Sequence, residues 1–358
     1  MKLGIITMVS DNYGNRLQNY ALQQTMKEIG AEVETFHNPF LLNYSEWKHI
    51  LKKPIKAIVY SLTKKRRGMF ERECTFEKFN REYITWSKFW LNNPRHLAQI
   101  DSNYDRVISG SDQVWNPESC NIDGRYFGTF VPSEKRFSYA ASFGLTTIPA
   151  ERKNEWAEYL NGMNKISVRE EAGKQIVQEL TQRVCEKHLD PTLLLDVSEW
   201  RKIEHKPSKV DLTRRYVLTY FLGEPSGEQQ RYIQKMAQKR NCEILELNNV
   251  NIPALYNCGP KEFLYLIDHA ECIFTDSFHG TVFSILFQKQ FKVFERNGLE
   301  NSMSSRIDSL LDMLELENSG CRYIGEQDEI LSPDYESVLH ILQKEKDRSI
   351  EYLAGVLK

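Results

Sequence analysis

Between Cys272 and Ser284 a short apolar run, Cys272-Ile273-Phe274, stops at Thr275-Asp276-Ser277 and gives way to a second apolar stretch with helical spacing. A buried strand that turns directly into a helix is the building unit of a parallel α/β sheet, and ligands of such sheets gather at the carboxyl ends of the strands. The junction holds one histidine, His279, between a bulky Phe278 and Gly280. Backbone N–H groups and the positive helix end make a turn of this kind suited to an anion. A histidine partly desolvated beside an anion suits proton transfer near neutral pH.

The same rhythm runs through the chain. Leu3 to Val9 reads as a strand. Leu17, Tyr20, Ala21, Gln24, Met26 and Ile29 follow helical spacing up to Gly30, and Ala31 to Phe36 reads as the next strand. Further strands are expected at 106–109, 137–141 and 166–168, with helices at about 153–163 and 171–181. A second series has strands at 216–223, 242–247, 272–275 and 291–294. Its helices fall at about 227–239, 261–269, 279–287 and 302–314, before a last helix at about 334–357. The expectation is an α/β protein with two Rossmann-like domains, 1–195 and 215–330, a polar linker at 196–214 and a C-terminal helical segment at 331–358. A length of 358 residues is ample for two domains.

Residues 45–100 break the alternation. Trp47, Ile50, Leu51, Ile55, Ile58, Val59 and Leu62 lie among Lys48, Lys52, Lys53, Lys56 and the run Lys64-Lys65-Arg66-Arg67. This reads as a basic amphipathic helical insertion, interrupted at Pro54. Such a helix is either a solvated surface element or a contact for an anionic membrane surface or a lipid-linked substrate. A net charge of −2 provides no global field for nucleic acid, which is not expected as a partner. Seven cysteines without a CxxC pair read as reduced thiols in a cytoplasmic protein, not as a disulfide framework. The histidines lack HxH or HxxxH spacing, so no metal site is expected. The first apolar stretch is too short for a signal peptide, and none approaches the roughly 20 residues of a membrane helix.

Five segments carry a resemblance to a known family. They are Asn12-Tyr13-Gly14-Asn15 with Leu17-Gln18-Asn19-Tyr20, then Asp105 to Pro117, Tyr139 to Gly144, Ile166 to Glu170, and Thr275-Asp276-Ser277-Phe278-His279-Gly280. In this order they resemble the motif blocks of the polysaccharide pyruvyl transferase family. The resemblance implies a GT-B-like arrangement of the two domains with an active site between them. It also implies an activity: phosphoenolpyruvate gives its pyruvyl group to two hydroxyls of a sugar, a cyclic ketal forms, and phosphate leaves. Phosphoenolpyruvate is then a substrate and no cofactor is required. The other partner is a saccharide acceptor, free or lipid-linked, which would place the protein in the cytoplasm at the inner face of the membrane.

The resemblance also implies roles. His279 is the acid/base group, or else a histidine that caps a helix. Arg169 contacts the donor through its planar fork, or else forms a salt bridge with Glu170 or Glu171. Ser277, Gly280 and Thr281 surround the donor. Many members carry Arg-Leu-His where this chain has Ser277-Phe278-His279, so one cation is missing; Arg306 is the candidate replacement, with Lys292 and Arg296 behind it. Asn12, Asn15, Ser111, Asp112 and Gln113 are expected around the acceptor. Asn15 is alternatively the cap of the first helix. Trp115 either stacks on a sugar ring or lies in the core. Two other functions fit the same fold: a GT-B glycosyltransferase using a nucleotide sugar, and a binding protein without catalysis.

Overall fold

The computed structural model describes residues 1–38, 64–119, 122–296 and 305–358. Contacts divide the chain into two compact units. The first comprises 1–53, 80–195 and 344–358; the second comprises 54–79 and 196–343.

The first unit follows β1 (Lys2–Ile6), α1 (Tyr13–Glu28) and β2 (Glu32–His37). Helix α2 (Lys64–Tyr83) passes from the second unit into the first. Then come β3 (Trp86–Trp90), α3 (Pro94–Asn103), β4 (Arg106–Ser109), β5 (Arg136–Ser138), α4 (Lys153–Asn161), β6 (Ser167–Val168), α5 (Glu171–Thr181) and β7 (Glu186–Lys187). Its sheet is parallel, in the order β3-β2-β1-β4-β5. β6 and β7 pair with each other and continue the sheet through bridges to Phe137 and Ala141. The core includes Trp115, Phe127, Phe143 and Trp156.

The second unit holds α6 (Val197–Ile203), β8 (Tyr216–Tyr220), α7 (Gly227–Lys239), β9 (Glu243–Leu247), α8 (Pro253–Tyr256), α9 (Pro260–Asp268), β10 (Cys272–Thr275), α10 (Phe278–Leu286), β11 (Gln290–Val293) and α11 (Ser305–Met313). Its parallel sheet has the order β11-β10-β8-β9. The strand Cys272–Thr275 is buried along its whole length, as a central parallel strand covered on both faces must be. Helix α12 (Tyr335–Val356) begins with the second unit and ends with the first, where Tyr352 donates to Ser138 O at 2.9 Å.

Two readings change and one open alternative is decided. The insertion expected at 45–100 is not helical throughout. Residues 86–90 form β3, pairing parallel with β2, and α3 starts at Pro94 behind the cap Asn93. The aromatic alternation of Trp86-Ser87-Lys88-Phe89-Trp90 outweighs the basic helical pattern before it. Lys48, Lys52, Lys53 and Lys56 lie outside the described residues, as do the side chains of Lys64 to Arg67. The expected linker contains a helix, α6, whose Trp200 packs edge-on against Phe283 of α10. Trp115 belongs to the core: it is fully buried and stacked on Phe127 at 5.0 Å between centroids, so it presents no face to a sugar. Among the described residues no helix is long and apolar enough to cross a membrane.

Candidate active site

Each sheet has a point where the chain reverses its direction of growth. In the second unit β9 lies on one side of β8 and β10 on the other. In the first, β2 and β4 flank β1 in the same way. Loops leaving two such strands diverge and open a crevice at their carboxyl ends. The sequence-derived candidates fall at these two points.

In the second unit His279 lies in the first turn of α10, buried, with its ring edge-on to Phe278 at 5.1 Å. The turn is built from its own polar side chains. Ser277 caps the helix, its Oγ accepting from Gly280 N at 3.4 Å. Thr281 Oγ1 donates to Ser277 O at 3.1 Å. Thr275 Oγ1 donates to Tyr220 O at 2.6 Å and accepts from Ser277 N at 3.0 Å. Gly280 is required by close approach, since a Cβ there would stand 2.4 Å from Thr275 Oγ1. Ser277, Gly280 and Thr281 thus come together, and their visible bonds hold the turn that presents His279.

Asp276 joins this turn to the two neighbouring strands. Oδ1 accepts from Leu222 N at 2.7 Å, and Oδ2 accepts from Gly223 N and from Arg296 Nε, each at 2.9 Å. Arg296 Nη2 also donates to Asp276 O at 3.3 Å. The carboxylate ties the loop after β8 to a guanidinium that follows β11. Gly223 lets Arg296 lie across it: a Cβ at Gly223 would meet Arg296 Cγ at 2.6 Å. Arg296, a secondary candidate by sequence, therefore stands at the carboxyl end of the sheet on a fixed partner. Arg306 is the second residue of α11 and is buried; α11 packs against α10, the helix of His279. Lys292 is fully buried and bridges Asp328 at 2.7 Å, which makes it a strut of the fold.

The first unit gathers Asn15, Ser111, Asp112 and Arg169. Asn12, not Asn15, caps α1, its side chain accepting from Asn15 N at 3.3 Å. Asn15 sits inside the helix, buried, where its Oδ1 accepts from Ser10 N and its Nδ2 donates to Asp112 Oδ2, both at 2.9 Å. That contact bridges the loops after β1 and β4. Asp112 has a left-handed backbone, φ 73°, and accepts from Gln113 N at 2.9 Å. Ser111 is buried and donates to Asp190 Oδ2 at 2.9 Å. Asn12, Asp112 and Gln113 are partly exposed, whereas Asn15 and Ser111 act from within.

Arg169 is buried. Its Nη1 donates to Asp190 Oδ2 at 2.6 Å and to Ser111 Oγ at 3.3 Å. Glu170 and Asp112 carboxylates stand 3.8 and 3.9 Å from it. Burial opposes its charge, but Asp190, Glu170 and Asp112 together hold its pKa above the ordinary value. Its closest partner is thus Asp190; Glu170 forms the longer ion pair that was one alternative, and Glu171 faces Lys174 at 3.1 Å instead. Asp190 was not singled out by sequence, although Asp190-Pro191-Thr192 carries the signature of a helix start, and Asp190 does cap the short turn that follows.

Among the described residues Glu204, Asp268 and His269 bring possible metal-ligand atoms within 4.8 Å of one another. Asp268, however, is forked to Arg201 at 2.7 and 3.0 Å.

The family model described as polysaccharide pyruvyl transferase matches residues 12–297. The chain belongs to the polysaccharide pyruvyl transferase family, a family of enzymes. No curated protein sequence matches it significantly. Among solved structures it is similar to UDP-GlcNAc 2-epimerase from Neisseria meningitidis, at 11% identity and TM-score 0.51, over 99% of this chain and 94% of that one. Another similar structure is the glycosyltransferase SnogD from Streptomyces nogalater, at 10% identity and TM-score 0.42, over 100% and 98% of the two chains. The fold class is that of GT-B enzymes, with two α/β units built on parallel sheets.

Proposed function

We propose that this polysaccharide pyruvyl transferase family member uses phosphoenolpyruvate as donor and forms a pyruvate ketal on a saccharide of a surface polysaccharide or its lipid-linked precursor. The observation that carries the proposal is His279, held in the first turn of α10 at the reversal point of the second sheet, with Arg296 fixed nearby by Asp276.

In the reaction one sugar hydroxyl adds to C2 of the donor while a proton reaches C3, which becomes the methyl group. The C2–O bond to phosphate then breaks and the second hydroxyl closes the ketal. Of the two hydroxyl protons, one is balanced by the proton gained at C3 and the other leaves with phosphate. His279 takes a proton from an attacking hydroxyl and returns one to the leaving phosphate. Arg296, with Arg306 on the neighbouring helix, provides the positive charge that Ser277 cannot. Arg169, its fork oriented by Asp190, is assigned to the donor's carboxylate. The turn of Ser277, Gly280 and Thr281 frames the donor. Asn12, Asp112 and Gln113 meet the acceptor's hydroxyls, with Asn15 and Ser111 shaping their loops. No step calls for a metal or cofactor. The basic stretch 48–67 is where a lipid-linked acceptor at a membrane surface would be met.

The test is release of phosphate from phosphoenolpyruvate in the presence of saccharides extracted from the source cell's envelope. His279→Ala should lower it roughly 10²–10⁴-fold, the range for loss of a positioned acid/base. Unchanged release in the variant would refute the role of His279.

A further inference from the structure

A groove in the second unit lies between α7 and the loop that follows β9. Its volume is about 350 Å³, at the small end of the roughly 300–1,000 Å³ usual for ligand pockets. We infer that it binds one neutral hexopyranose ring of the saccharide, and so acts as a specificity subsite. This rests on reading the chain as a saccharide-modifying enzyme.

The lining decides the ligand class. No Lys, Arg or His lines the groove among the described residues, whereas Glu224 and Glu246 do. A phosphate or diphosphate would find no counter-charge there and would face two carboxylates, so neither phosphoenolpyruvate nor a nucleotide suits it. The remaining polar lining is the hydroxyl of Thr219 and the carboxamides of Gln230, Gln234, Asn248, Asn249 and Asn251. A carboxamide offers both a donor and an acceptor, which matches the hydroxyls of a sugar. Gln230 and Gln234 are four apart on α7, so they share one face of it.

Gln230, Glu246 and Asn248 are held in place. Gln230 Nε2 donates to Pro225 O at 3.0 Å. Glu246 Oε2 accepts from Asn249 Nδ2 at 2.6 Å. Asn248 has a left-handed backbone, φ 77°, and its Nδ2 donates to Phe221 O at 3.3 Å. A non-glycine residue in that conformation is uncommon and concentrates at ligand sites. Phe221 also lines the groove, anchored edge-on against Phe294 at 5.4 Å, and offers an apolar face to the C–H side of a sugar ring. Gly223 connects the groove to the chemistry, because it lines the groove and its N–H is bound by Asp276, the residue next but two before His279.

Saturation-transfer NMR with methyl gluco-, galacto- and mannopyranosides on the full chain tests this. At least one glycoside should show transfer. Gln234→Trp, which fills the groove from an exposed helix position, should cut that transfer at least five-fold, while His279→Ala should leave it intact. Phosphoenolpyruvate binding, followed by calorimetry, should be equal in wild type and Gln234→Trp. Absence of transfer from all three glycosides would overturn the inference. So would transfer that survives Gln234→Trp, or displacement of the glycoside by uridine diphosphate. Glycoside behaviour as expected without phosphoenolpyruvate binding would support the groove and refute the donor reading alone.

Discussion

Asp276→Asn removes the charge that joins three loops at the second reversal point. The carboxylate accepts two backbone N–H groups and one guanidinium N–H, at 2.7 to 2.9 Å. An asparagine keeps one acceptor oxygen and places an NH₂ where the other stood. One of Leu222 N and Gly223 N then faces a donor, and Arg296 loses its counter-charge. A buried polar group left unsatisfied costs about 1–3 kcal/mol. Breaking a buried ion pair by removing one partner costs about 3–5 kcal/mol. Asp276 is buried, but the Arg296 side chain is 13% exposed and hydrated in part, so the lower ends apply: about 4 kcal/mol in all. Urea unfolding followed by circular dichroism measures this. Arg296→Met should cost less, because Asp276 keeps both backbone donors. The two changes together should show a coupling of about 1 kcal/mol or more. A loss within about 0.5 kcal/mol of wild type for Asp276→Asn would refute the reasoning, since that is the range of substitutions away from any such network.

Three further outcomes are expected. His188 is buried against Tyr352, 4.6 Å between centroids, and burial, then Arg348, push its pKa from 6.5 to about 4, while Glu186 at 3.3 Å is mostly exposed and screened. The folded state therefore binds its proton less readily than the unfolded one. The associated stability, roughly 2–3 kcal/mol, is complete above pH 6.5 and is lost as pH falls to about 4. His188→Phe should flatten urea midpoints across that window, and an unchanged slope would contradict the assignment. Gly280→Ala should destabilise by about 1–3 kcal/mol, because Thr275 Oγ1 is held by Tyr220 O and cannot move aside; a neutral result by thermal melt would show that the turn relaxes. Asp190→Asn should disorient Arg169 and weaken donor binding about ten-fold in calorimetry, and equal affinity would remove Arg169 from the donor's contacts.

The His279 turn was legible because its signals are local: an apolar strand, a polar junction and a helix within thirteen residues. Most of the alternation of strands and helices outside 45–100 and 182–214 was legible for the same reason. What escaped the sequence depends on partners far apart in the chain. Asp276 meets Leu222 across 54 positions and Arg296 across 20, and no pattern in any one loop announces the others. Arg169 had adjacent glutamates to pair with, yet the fold brings Asp190 from 21 positions away to 2.6 Å, closer than Glu170 at 3.8 Å. Asn15 was a plausible cap by sequence, but the extended backbone falls at Asn12, which takes that role. β3 was obscured by the basic run before it, although its aromatic alternation and the Asn93-Pro94 helix start were present.

The central claim is that phosphoenolpyruvate is the donor and that His279 and Arg296 belong to its site. Calorimetric titration of the full chain with phosphoenolpyruvate, in chelator, addresses it most directly. Saturable one-site binding without added metal is expected, weakened about ten-fold or more by Arg296→Ala, the loss of a charge-assisted hydrogen bond. Absence of binding, with heat evolved instead on titration of a nucleotide sugar, would contradict it.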